Sequence, residues 1–115
     1  MDDAIRIWAD MLRKYGFHGA FCMVGEKAWV LRDRGRKDIL EALADHEIDF
    51  HSNGHSRHPL HAEYLNEMGW EDGVRRVIHE ELPGIQDVEE ICGQRPFAYC
   101  KPGGSWGPRW PTVCR

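Results

Sequence analysis

The run Ala20-Phe21-Cys22-Met23-Val24, closed off by Gly19 and Gly25, constrains the fold more than any other stretch of the chain. Five consecutive apolar residues are too few for a buried helix, and they lack the polar alternation of a half-exposed strand. The run therefore reads as a buried strand of a parallel sheet, with Cys22 as a packing residue within it. A helix is expected before it, because Ile5, Trp8, Leu12 and Tyr15 recur at steps of three and four. Asp2 or Asp3 is positioned to cap that helix and Gly16 to stop it. A second helix over 36–45, burying Ile39, Leu40 and Leu43, leads into a short strand at Glu47–Phe50 and completes a βαβ unit.

The remaining pattern is more broken. Lys27 to Leu31 has no decisive period, and Arg32 to Arg36 reads as a charged turn. His61 to Met68 suggests a short helix ended by Gly69. Trp70, Val74, Val77, Ile78 and Leu82 mark another, which Pro83-Gly84 interrupts, and Ile85, Val88 and Ile91 mark a further one up to Gly93. Phe97 to Cys100 is expected to be a third strand, opening into a stretch dense in glycine, proline and tryptophan between Lys101 and Pro111.

A chain of 115 residues builds one core, so residues 1–115 are expected to form a single α/β domain. With 42% hydrophobic and 30% charged residues the composition is that of an ordinary globular protein. A net charge of -4 and a pI of about 5.9 argue against nucleic acid or an anionic membrane as the main partner. The N-terminus shows no cationic segment followed by an apolar stretch, and no run is long and apolar enough to span a bilayer, so a cytoplasmic address is expected. The four cysteines, Cys22, Cys92, Cys100 and Cys114, contain no CxxC pair, which points away from a zinc ribbon, a thioredoxin motif and a disulfide framework alike.

Chemistry is concentrated in Phe50-His51-Ser52-Asn53-Gly54-His55-Ser56-Arg57-His58-Pro59, which holds three of the seven histidines. His51 and His55 sit four apart, so one helical turn or a tight loop closed by Gly54 aims both imidazoles at one point, as a metal site requires. The other reading is a polar surface loop that happens to be rich in histidine. The loop follows a strand, and parallel α/β sheets collect ligand sites at the carboxyl ends of their strands.

Taken together, three segments resemble the polysaccharide deacetylase family, the carbohydrate esterases of family four. Lys14 to Gly25 is similar to the family's helix end and "ATFFVVG" strand. His46-Glu47-Ile48-Asp49-Phe50-His51-Ser52-Asn53-Gly54-His55 is similar to its "GHEIGNHTxxH" segment. Gly93 to Tyr99, followed by Pro102 and Gly104, is similar to its "TGxxPxxFRPPYG" strand and loop. The resemblance implies an incomplete, distorted (β/α) barrel with a short parallel sheet flanked by helices. It also implies a metal-dependent hydrolase that removes acetyl from N-acetylated sugars or cleaves a related C–N amide bond.

In such enzymes zinc or another divalent metal polarises the acetamide carbonyl and activates water. By resemblance His51 and His55 are two of its ligands, and Ser52 orients the loop. His58, three residues past His55, is a candidate third imidazole and equally a residue that pins the turn before Pro59. Glu26 and Asp49 are carboxylate alternatives. Gly103, Gly104 and Ser105 correspond to the segment whose backbone N–H helps hold the oxyanion, and Trp106 and Trp110 offer faces for a sugar ring or, equally, serve as core or loop-pinning aromatics.

The departures are specific. The family's Asp-Asp pair, which supplies a ligand and the general base, has no counterpart at a strand end, and Asp2-Asp3 suits a helix cap better. The family's arginine falls on Cys100, and its late histidine has no match. A catalytically incomplete deacetylase-like domain that binds metal, carbohydrate or a protein partner is therefore the competing expectation. A sheet with an unpaired edge also suggests self-association into a homo-oligomer.

Overall fold

The computed structural model describes residues 1–103. In chain order the elements are α1 (Asp2–Lys14), β1 (Ala20–Met23), α2 (Gly25–Asp33), α3 (Lys37–Leu43), β2 (Glu47–Phe50), α4 (His61–Asn66) and α5 (Trp70–Cys92). The expected βαβ core is present: β1 and β2 pair in parallel, with Ala20 opposite Glu47 and Met23 opposite Phe50. Two helices rather than one make the crossover, because the ambiguous segment after Gly25 is helical and buries Ala28 and Leu31.

The expected third strand is reduced to a bridge. Phe50 N–H donates to the Ala98 carbonyl and Cys100 N–H to the Phe50 carbonyl, both at 2.8 Å, so 97–100 runs parallel to β2 through a single bridge between Phe50 and Tyr99. Pro96 and exposed Phe97 at the start of this segment give it little to bury. A barrel is not formed; the described residues make a mixed α/β unit with a two-stranded parallel sheet.

The helices pack on one side of the sheet. Ile48, Phe50 and Met23 point to that side and meet Ala9 of α1, Ala28 and Leu31 of α2, Ile39 and Leu43 of α3, and Val88 of α5. Side chains alternate across a strand, so Cys22 and Asp49, paired in register, share the other face.

Two helix expectations need correction. In α1 the inward line is Asp2, Ile5, Ala9 and Leu12, whereas Trp8 and Tyr15 are exposed. The N-cap is Met1; Asp2 and Asp3 lie in the first turn, where Asp2 pairs with Lys27 and Arg34, and Asp3 with Arg36. Gly16 does end the helix, at φ +75°. The second correction is α5, which runs unbroken through Pro83-Gly84. Proline lacks the N–H that would reach the carbonyl four residues back, so one hydrogen bond is missing inside the helix. Packing on both sides of Pro83 holds the axis together, with Val77 and Glu81 buried before it and Gly84 and Val88 after it.

Candidate functional site

The histidine loop leaves β2 at its carboxyl end and is fixed by the backbone of its neighbours. His51 N–H donates to the Met23 carbonyl at 2.8 Å, extending the sheet by one bond. The carbonyls of Ser52 and Asn53 then receive the N–H groups of Gly25 and Glu26, at 3.0 and 2.9 Å, which are otherwise unsatisfied donors at the start of α2. Ser52 is buried and adopts φ +70°, a left-handed conformation uncommon outside glycine. Asn53 N–H donates to Glu81 Oε2 at 2.8 Å, and its Nδ2 donates to the Glu80 carbonyl at 3.3 Å.

This anchoring brings His51 and His55 together, with ring centroids 4.9 Å apart. His51 Nδ1 lies 2.7 Å from the Cys100 carbonyl, which can only accept, so Nδ1 carries the proton and Nε2 keeps its lone pair. A histidine ligand is oriented in this way in metal sites. His55 Nδ1 pairs with Ser56 Oγ at 2.8 Å. The pair thus fits two ligands of a divalent cation. His58 is directed elsewhere: its Nδ1 is 2.9 Å from both Glu63 carboxylate oxygens, and the side chain is exposed. Glu26 is engaged by Arg57 at 2.8 Å.

Beside the loop is a cleft of about 450 Å³, lined among others by His55, His58, His61, Arg76, Glu81 and Gly103. Its inner wall holds a buried pair, His61 Nε2 and Glu81 Oε1 at 2.7 Å. A carboxylate fixing one imidazole nitrogen sets both its orientation and its tautomer, the arrangement used for proton transfer. Burial and the nearby Glu81 and Glu80 carboxylates push the Tyr64 hydroxyl, whose ring meets that of His61, well above its usual range. His61 carried no signal in the sequence beyond opening a short helix, since its partner Glu81 lies on a different helix.

On the sheet face opposite the helices, Cys22, Asp49 and Cys100 each place one potential ligand atom within 4.8 Å of the others. Among the described residues this is the group of three such side chains that the fold assembles. Cys22 is exposed, not packed in the core as its apolar run suggested, because it lies on the face of β1 turned away from the core helices. Burial of its sulfur, then the neighbouring Cys100, pushes its thiol up to about 12.

No protein-family model matches the chain, and no curated protein or solved structure matches it. The likeness to the deacetylases therefore stands on the quoted sequence segments alone. Of the residues assigned to substrate, Gly103 lines the cleft at φ +65°. Gly104, Ser105, Trp106 and Trp110 lie outside the described residues, as does Cys114. Asp2, held down at about 2 by hydrogen bonds from Lys27 and Arg34, is committed to those cations and does not replace the family's missing carboxylate pair.

Proposed function

We propose that this protein is a metal-dependent hydrolase of the polysaccharide deacetylase type, acting on the acetamide of N-acetylated sugars or on a related C–N amide bond. The observation that carries the reading is the adjacent His51 and His55 pair at the carboxyl end of a parallel strand, with His51 fixed through Nδ1. When bound, zinc or another divalent cation supplies Lewis acidity towards the substrate carbonyl. His51 and His55 hold it. His61, oriented by Glu81, exchanges a proton within the cleft, which at about 450 Å³ falls in the range of small-ligand sites and suits a sugar unit or small amide. Gly103, which lines the same cleft, supplies a backbone donor to the substrate.

The test is acetate release from an N-acetylated chito-oligosaccharide, measured together with bound metal. His51→Ala and His55→Ala are each expected to lose one equivalent of metal and all activity. His61→Gln is expected to keep that metal and lose about 10²- to 10⁴-fold in kcat. A second reading is favoured by His58, which is turned onto Glu63 instead of joining the pair: a catalytically incomplete deacetylase-like domain that binds metal, carbohydrate or protein. Metal retention by His51 and His55 without acetate release would select it. Metal content unchanged by both histidine substitutions would sink the hydrolase reading and the metal-binding form of the second.

A further inference from the structure

The sheet face turned away from the helices has its own constellation. We propose that Cys22, Asp49 and Cys100 bind a thiophilic divalent cation, zinc foremost, at a site separate from the His51/His55 pair and independent of the hydrolase reading. The three residues come from three segments that run side by side. Cys22 on β1 is in register with Asp49 on β2, and 97–100 flanks β2 on its other side, with Phe50 opposite Tyr99. The pleat then sends Cys22, Asp49 and Cys100 to one face. The two sulfurs approach to 2.8 Å, with both cysteines free.

Asp49 supplies the second, independent observation. It is only 6% exposed, its Oδ1 accepts the Ala98 N–H at 3.0 Å, and among the described residues no cationic side chain forms an ion pair with it. A buried carboxylate without a counter-charge is costly. A cation between Asp49 and the two sulfurs removes that cost and uses the carboxylate's remaining coordination capacity. Two thiolates and one carboxylate select a soft or borderline metal over magnesium or calcium, and three protein ligands leave a fourth tetrahedral position for water. Binding exchanges one cation for the two thiol protons, which pass to solvent.

The same sulfurs invite a disulfide as the competing outcome: their 2.8 Å contact lies between the ~2.05 Å of a disulfide bond and the ~3.8 Å that two thiolates keep on a tetrahedral metal with bonds of about 2.3 Å. Each outcome needs a small shift of the two side chains, and oxidation set against metal binding separates them.

Cobalt(II) titration of the reduced full chain tests the proposal. Thiolate-to-cobalt charge-transfer absorption saturating at one equivalent, displaced by zinc, is expected in the wild type and unchanged in His55→Ala, whose side chain bonds Ser56 and not Cys100, and in Cys92→Ser. Cys22→Ser and Cys100→Ser should abolish it, and Asp49→Asn should weaken cobalt binding at least about tenfold. Because a serine variant can fail to fold, wild-type protein is also alkylated with and without zinc. Zinc should protect Cys22 and Cys100, with Cys92 as the internal reference in peptide mapping. Absence of the charge-transfer band, its loss in His55→Ala, or equal alkylation of Cys22 and Cys100 with and without zinc would overturn the site. So would recovery of a Cys22–Cys100 disulfide under mild oxidation from protein that shows no cobalt band after reduction.

Discussion

Asn53 sits where α2 and α5 come closest to the histidine loop, and two glycines make room for it. A Cβ on Gly84 would lie 2.7 Å from Asn53 Cγ and 2.8 Å from its Cβ, and a Cβ on Gly25 would lie 3.2 Å from its Cα. These are atoms near or in the backbone, which cannot swing aside as a long side chain can. Gly84→Ala, although it favours helix by propensity, is therefore expected to destabilise the protein by about 1–3 kcal/mol in urea unfolding. Under the proposed role of His51 and His55 as metal ligands it should also lower their metal affinity, because the loop must shift. Pro83-Gly84 looks like a helix breaker in sequence, since both residues are turn formers. The demand for a missing side chain comes from Asn53, far away in the chain, and no local pattern carries it. By contrast, His51 and His55 were legible as a pair, because their spacing and the preceding strand are both local.

At the level of elements, α1 is tied down by ion pairs as well as by its apolar stripe. Asp2 binds Lys27 and Arg34 on the α2 side, Asp3 reaches Arg36, Arg6 meets Asp38 at 3.1 Å and Arg13 meets Asp45 at 2.8 Å. Hydrogen bonds from Lys27 and then Arg34 hold Asp2 at about 2, below its ordinary 3.8; Arg36 does the same for Asp38. A depressed carboxylate contributes stability above its unfolded value and loses it as pH falls through the folded one. Docking of α1 should accordingly weaken between about pH 4 and pH 2, and Asp2→Asn should flatten that part of the acid-unfolding profile; far-ultraviolet circular dichroism during acid titration checks this. The helix itself was legible from its periodicity. Its orientation was not, because a small residue, Ala9, takes the central position against the core and leaves the bulkier Trp8 outside.

For the whole molecule, among the described residues the core helices lie on one side of the sheet and β1 has no partner on its outer edge. Ile7, Trp8, Met11 and Tyr15 are exposed along α1, with Phe17 just beyond it, and Phe97 is 83% exposed beside β2. Open strand edges and clustered apolar surface favour association. Sedimentation velocity should show mass rising with concentration in the micromolar range; a single monomeric species across that range would refute the expectation. The parallel βαβ core was legible because buried strands are short, apolar and bounded by glycine. The barrel was not assembled, since closing one requires strands to pair around a full circuit, and 97–100 contributes one bridge only.

Pro83 gives this arrangement a mechanical consequence. Glu80 and Glu81, which receive the Asn53 donors and line the cleft, precede it in α5, whereas Val88, locked in the core, follows it. With one backbone hydrogen bond missing at that point, the helix is softest there. A bend at Pro83 would move the Glu80–Glu81 wall and, through the two Asn53 bonds, the histidine loop as well, so the two sides of the cleft are mechanically tied.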